Sequence, residues 1–360
     1  MVFLVQAVSN DEGVNLIRME KMKKIVLFCI PLFILSACYE SYVKDYEFSA
    51  VYVANQYDLR SFVVGESMQF DFGVVLGGVM NNTEDRAVRF ELDDELVTGD
   101  LSAFGADSPF TALDGMLDAA PLGTLSQKYV TDAVSAAGLT ALTPLPASLF
   151  SLSDNGRMTV KKGEHTATVT LKTDPTAFLA DEHVGVQPYY AVAYRILSAD
   201  ADTVLLSKSF SVIALRCENT FFGWWYHGGK SRTTAADGTT TETVYPTRIP
   251  GDANTSEVYE MVSVSPYAVK TNFFHNQKDA SMQISMEGDA VVVSAPDGSI
   301  TDMGSGWNKA KLLQDRKIFL NYSYTAANGS VTVVTDTLSF RNRIRDGVNE
   351  WQDENPAHYN

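Results

Sequence analysis

Five aromatic residues in the C-terminal half, Trp224, Trp225, Tyr226, Tyr245 and Trp307, are those best suited to hold a ligand. Trp and Tyr rings pack on flat C–H faces such as those of sugars, while hydroxyls pair with Asn, Asp, Gln and Arg at the rim. Trp224, Trp225 and Tyr226 belong to the densest aromatic run of the chain, residues 221–227. Neighbours on a strand face opposite sides, so at least one of Trp224 and Trp225 is expected in the core. Trp307 stands in Met303-Gly304-Ser305-Gly306-Trp307-Asn308. This stretch reads as a glycine-rich loop displaying its ring, which makes Trp307 the leading glycan contact. For each ring the competing reading is a filler of a barrel interior.

Other chemistry finds no constellation. Glycoside hydrolysis needs two carboxylates flanking the bond, but Asp93, Asp94 and Glu95 are adjacent and alternate in direction on a strand. His165, His183, His227, His275 and His358 are scattered, without a His-Glu-x-x-His pair for zinc. Asp200-x-Asp202 and Asp252-x-Asn254 are too short for a calcium loop. No phosphate-cradling loop with its lysine and no Gly-x-Ser-x-Gly elbow is present. The expectation is a non-enzyme with no cofactor and no metal. Net charge is −16, from 28 Lys and Arg against 44 Asp and Glu. Such a balance disfavours nucleic acid, whose phosphates call for clustered cations.

An address precedes the fold. Lys21, Lys23 and Lys24 lead into an apolar run from Ile25 to Leu35, the layout of a secretory signal. The run is about half of the ~20 apolar residues that span a bilayer. Asp11, Glu12 and Glu20 place acidic charge where a signal is basic, so Met22 reads as the start and residues 1–21 as an upstream extension. Leu35-Ser36-Ala37-Cys38 resembles the lipobox of bacterial lipoproteins, which implies cleavage before Cys38 and acylation of its thiol. Acyl chains contribute roughly 0.8 kcal/mol per buried methylene, so two or three anchor a protein durably. Of the three cysteines, Cys29 leaves with the signal and Cys38 is lipidated. Cys217 then stands alone, a buried apolar group without a disulfide partner.

The elements behind this anchor are strands. Residues 87–92 and 166–172 alternate apolar with polar at period two, as half-buried strands do. Turns fall at Asp154-Asn155-Gly156, Lys162-Gly163 and Asp174-Pro175. Leu125, Tyr129, Ala133 and Ala137 recur at helical spacing, predicting a helix over 126–137 that ends at Gly138 and caps one open end of a sandwich. Residues 99–123 read as an irregular lead-in to it. Past residue 220, strands are expected at 257–264, 280–286, 290–294, 317–324 and 330–340, separated by turn signals such as Asn328-Gly329. Arg341, Arg343 and Arg345 share a face and are expected to pair with Asp346, Glu350, Asp353 or Glu354.

The segments Arg60-Ser61-Phe62-Val63-Val64-Gly65-Glu66, Phe72-Gly73-Val74-Val75-Leu76-Gly77-Gly78-Val79 and Leu145-Pro146-Ala147-Ser148-Leu149-Phe150 carry a resemblance. They resemble an N-terminal domain of unknown function found in Bacteroidetes lipoproteins and in front of some of their secreted glycosidases. The opening Phe222-Gly223-Trp224-Trp225-Tyr226 and the tail 341–351 resemble its companion domain. The resemblance implies a place beside outer-membrane glycan importers of the Sus type, with polysaccharide or oligosaccharide as partner. It implies no ligand-contacting residue.

The expected architecture is all-β. An immunoglobulin-like sandwich with a short inserted helix (49–217) precedes an antiparallel, lipocalin-like barrel or second sandwich (218–360). The signal and extension (1–37) and a lipidated tether (38–48) lie ahead of them. The expected function is non-catalytic glycan capture by an outer-membrane lipoprotein exposed at the cell surface, held at the membrane through its lipid alone, with an importer complex as its expected protein partner. The alternative is a structural or adhesion lipoprotein of the envelope that binds a protein.

Overall fold

Alternating apolar residues dictate the architecture seen in the computed structural model, which describes residues 48–98, 125–139, 142–245 and 257–350. Cys38, the signal and nearly all of the tether lie outside these residues, as does the lead-in 99–123. Strands are numbered along the chain. One sheet runs in the order β10 (Thr203–Val204), β1 (Ala50–Tyr52), β3 (Gln69–Gly77), β8 (Thr166–Thr173), β6 (Phe150–Leu152). The facing sheet runs β2 (Tyr57–Val63), β11 (Phe210–Glu218), β9 (Tyr190–Ala199), β4 (Arg86–Leu92), β7 (Arg157–Val160). Period-two residues of both, such as Val74, Leu76, Val169, Phe90, Val192 and Leu215, meet in one core. Cys217 is in that core, and burial pushes its thiol up to about 12, so the group is an inert hydrophobe.

The helix forms at Leu125–Ala136, with Gly138 at φ +68° just beyond. It does not cap an end of the sandwich. Val130 and Val134 instead pack on the outer face of the second sheet, against Leu59, Ala191, Ala193 and Val212. The reason lies in β9 and β11, which are apolar on both faces (burial is continuous over Tyr190–Tyr194 and Phe210–Leu215). A sheet apolar on both sides requires a cover on each.

The second unit is an antiparallel sheet curled into a nearly closed barrel. Its order is β17 (Ala290–Ser294), β16 (Gln283–Glu287), β15 (Ala268–Thr271), β14 (Val258–Ser265), β12 (Gly223–Thr234), β21 (Val331–Arg345), β20 (Lys317–Thr325), β18 (Ile300–Asp302). An isolated bridge from Val291 to Ser305 brings β17 back to the segment just after β18. Trp225, Tyr259, Ile284, Leu320, Tyr322, Val334 and Leu338 point inward and fill it.

One carboxylate fastens the two units. Glu66, in the turn after β2, places both oxygens on the Arg343 guanidinium at 2.8 Å each. Arg316 Nη2 lies 3.0 Å and Arg345 Nη1 3.4 Å from the same carboxylate. Arg343 and Arg345 also pair with Glu350. Burial opposes the Glu66 charge, yet Arg343, Arg316 and Arg345 outweigh it and hold the carboxyl below its usual range. Asp346, expected to pair with these arginines, instead accepts hydrogen bonds from the Ser61 N–H and hydroxyl. Gly223 permits the approach: a Cβ there would lie 2.6 Å from the Arg343 Cβ and 2.7 Å from the Asn342 carbonyl oxygen.

Candidate functional site

The far end of the barrel gathers its buried titratable groups. Both imidazole nitrogens of His227 face carboxylates: Nε2 lies 2.9 Å from Asp336 and Nδ1 3.3 Å from Glu257. The ring stacks on Tyr259, with centroids 4.7 Å apart, and leans on Tyr245 at 4.8 Å. Tyr245 donates its hydroxyl to Asp336 at 2.6 Å. Burial, then the Asp336 charge beside it, pushes that hydroxyl well up. His275 meets the Tyr324 hydroxyl at 2.8 Å, and burial lowers its pKa, favouring the neutral ring. Gly229 makes room for this cluster, since a Cβ there would stand 2.8 Å from Asp336 Oδ1. The rings occupy the interior themselves. Among the described residues, no group of three or more His, Cys, Asp or Glu is placed to hold a metal ion.

The five aromatic candidates do not form one platform. Trp225 is fully buried and donates its indole N–H to the Phe221 carbonyl at 2.8 Å. Tyr226, on the opposite face of the strand, is 6% exposed beneath the Arg341 guanidinium at 6.0 Å. Tyr245 is held by Asp336. Trp307 corrects the expectation of a ring displayed on a loop. Gly306–Trp307 forms a short strand, β19, on β20, and the half-buried ring packs edge-on against Phe221 at 5.3 Å. Ser305 and Asn308 draw the segment onto the barrel by hydrogen bonds to Asp302, Asn321 and Lys317. Trp224 is half-buried on the outer barrel face, between Glu260 on β14 and Asn342 on β21.

An open cleft of about 390 Å³ lies where sandwich and barrel meet. The sandwich side supplies His183, Gln187 and Tyr189 from the loop before β9, with Leu139 from beyond the helix. The barrel side supplies Val264 and Ser265 from the end of β14 and Pro266 just beyond it. His183 and Tyr189 stack with centroids 4.2 Å apart and planes at 22°. Asp181 fixes this pair: it accepts from the His183 backbone N–H at 2.9 Å and from the Tyr190 hydroxyl at 3.0 Å. The His183 N–H is the main reason the Asp181 carboxyl lies below its usual range. Burial and that carboxylate push Tyr190 up to about 12. The Gly185 carbonyl accepts from the Cys217 N–H at 2.7 Å, tying the loop to the sheet. The walls are mostly apolar with a few convergent polar groups, the makeup of a small-ligand site at a junction of units. Sequence reasoning passed over this place. Its one signal was Tyr189-Tyr190 directly after Gly185-Val186-Gln187-Pro188, a turn-rich stretch carrying adjacent rings.

No protein family matches this chain, and no curated protein does. Among solved structures it is similar to a Bacteroides ovatus protein of unknown function, at 19% identity and a TM-score of 0.53. The match covers 86% of this chain and 99% of that one. A second Bacteroides ovatus structure, also of unknown function, matches at 10% identity and a TM-score of 0.35, over 86% of this chain and 98% of that one. The first likeness is one of fold, and its extent takes in both the sandwich and the barrel.

Proposed function

We propose that this chain is a non-catalytic lipoprotein of the outer-membrane surface that captures glycan in the junction cleft, beside a Sus-type importer. The observation that carries the reading is the stacked His183–Tyr189 pair standing in an open cleft with Gln187 and Ser265 at its walls. Such a pair offers a flat face to a sugar ring, and the amide and hydroxyl match its hydroxyl groups. The lipobox-like stretch ending at Cys38 supports membrane attachment, and the fold shared with a Bacteroides protein agrees with that setting.

Affinity electrophoresis against a panel of polysaccharides tests the capture. Retardation by at least one glycan is expected, with its loss in Tyr189→Ala and its retention in Trp307→Phe. Retardation by no glycan overturns the reading in favour of adhesion to a protein, and release of sugar over time overturns it in favour of an enzyme. Palmitate labelling that disappears in Cys38→Ala, with surface protease sensitivity in intact cells, is the expected result for the anchor.

A further inference from the structure

We propose that the glycan surface does not end at the cleft but runs along the outer face of β14 to a second aromatic station at Trp224. The ligand class is then an extended, neutral polysaccharide chain, not an isolated chain end. This rests on the capture reading above.

The strand register sets the track. In β14, Tyr259, Met261 and Ser263 point into the barrel, while Glu260, Val262 and Val264 point out. Val264 lines the cleft and is 44% exposed, and Val262 beside it is 59% exposed. Trp224 pairs directly with Glu260 across the β12–β14 ladder, so both side chains stand on that same outer face. From Val264 to Glu260 the strand advances about 13 Å. The cleft and Trp224 are thus joined by the exposed Val264 and Val262, with Glu260 beside the ring at the far end. Isolated exposed valines are ordinary, but two side by side on one strand face, leading from one aromatic site toward another, give a sugar chain a C–H surface to follow.

The rim of the second station suits hydroxyl groups. Asn342 pairs with Trp224 on its other side, donating to Asn349 at 2.9 Å and accepting from Arg341 at 2.9 Å. Lys270 stands opposite Val262 on β15. A ring between an acid and an amide, approached along C–H surface, is the repeating pattern that a sugar chain presents in reverse. Net charge selects among sugar chains: −16 over the whole protein repels a uronate or sulfate polymer.

Two linked stations make affinity depend on chain length, because the second contact becomes intramolecular. The test uses oligosaccharides of graded length, cut from whichever neutral polysaccharide (starch, mannan, xylan, β-glucan or arabinan) retards the wild-type protein. Calorimetry should show affinity rising with length until the chain reaches Trp224. Trp224→Ala should weaken the long oligosaccharides on the order of tenfold and leave the short ones unchanged. Tyr189→Ala should weaken both. Asn342→Ala, a rim change that leaves Trp224 in place, should repeat the length-selective loss at smaller size. Equal binding of long oligosaccharides by wild type, Trp224→Ala and Asn342→Ala overturns the track while leaving capture in the cleft standing. Tighter binding of homogalacturonan or chondroitin sulfate than of any neutral chain overturns the assigned class. Failure of all polysaccharides to bind overturns the capture reading itself.

Discussion

The two ends of the barrel bury charge in opposite ways. At the sandwich end Glu66 is surrounded by three guanidiniums, with Glu350 as a second acid; Arg316 precedes β20, and Arg343, Arg345 and Glu350 come from the C-terminal hairpin. At the far end Asp336 is met by the Tyr245 hydroxyl and by the His227 imidazole, whose other nitrogen faces Glu257. Both clusters draw on β21, through Arg343 and Asp336. Those residues are seven positions apart, about 23 Å along an extended strand. The lesson is one of matching. Where two units must be held in a fixed relation, full charges are paired bidentately, and losing one strands the others. Where one unit only has to fill its own interior, stacked tyrosine and histidine rings surround the buried carboxylate, and no guanidinium among the described residues meets it. The junction cleft depends on the first device, since its two walls belong to different units.

The largest expected effect breaks the junction. Glu66→Ala leaves three arginines facing a buried void and should cost about 3–5 kcal/mol, read by denaturant unfolding. It should also open the 218–223 connection to limited proteolysis. A loss under about 1 kcal/mol would mean that the arginines do not hold the units together. Next, Asp336→Asn should cost about 1.5–3 kcal/mol by weakening its bond to Tyr245, without exposing that connection. The two changes lie far apart, so the double variant should be additive within about 0.5 kcal/mol.

Acid should sharpen the same contrast. The Glu66 carboxyl is held below its ordinary value of 4.5 in the folded protein. Its contribution is therefore complete above that pH and is lost as pH falls through the lowered folded value. Wild type should lose stability more steeply than Glu66→Gln in that acid window, as measured by pH-dependent unfolding, and equal slopes would remove Glu66 as the cause. The smallest effect concerns the barrel wall. Trp307→Phe should cost about 1 kcal/mol by thermal unfolding, since its ring is half-buried and a smaller ring still reaches Phe221.

Much of the fold was legible locally. The strand expected at 290–294 forms at Ala290–Ser294, and those expected at 317–324 and 166–172 form one residue longer. Trp224 and Trp225 face opposite sides, with Trp225 in the core. The pairing of Arg343 and Arg345 with Glu350 was also within reach, because only a short turn separates them. Glu66 was not, since 277 positions separate it from Arg343. Trp307 misled because the two glycines before it, Gly304 and Gly306, read as a loop, and only β20 supplied the strand that draws the ring in. The helix was located correctly, but what it covers depended on β9 and β11 being apolar on both faces.

The sequence by itself determined which residues alternate, where turns interrupt them, and which face of each strand is apolar. Those properties follow from backbone geometry within a few residues, where period two and the tolerance of glycine for positive φ suffice. Tertiary structure alone decided which acid the three arginines surround, which rings are spent inside the barrel, and that residues 183–189 and 264–266 face each other across a cleft. Those outcomes depend on the close approach of distant segments, and packing of the whole chain selects that approach, which no local pattern encodes.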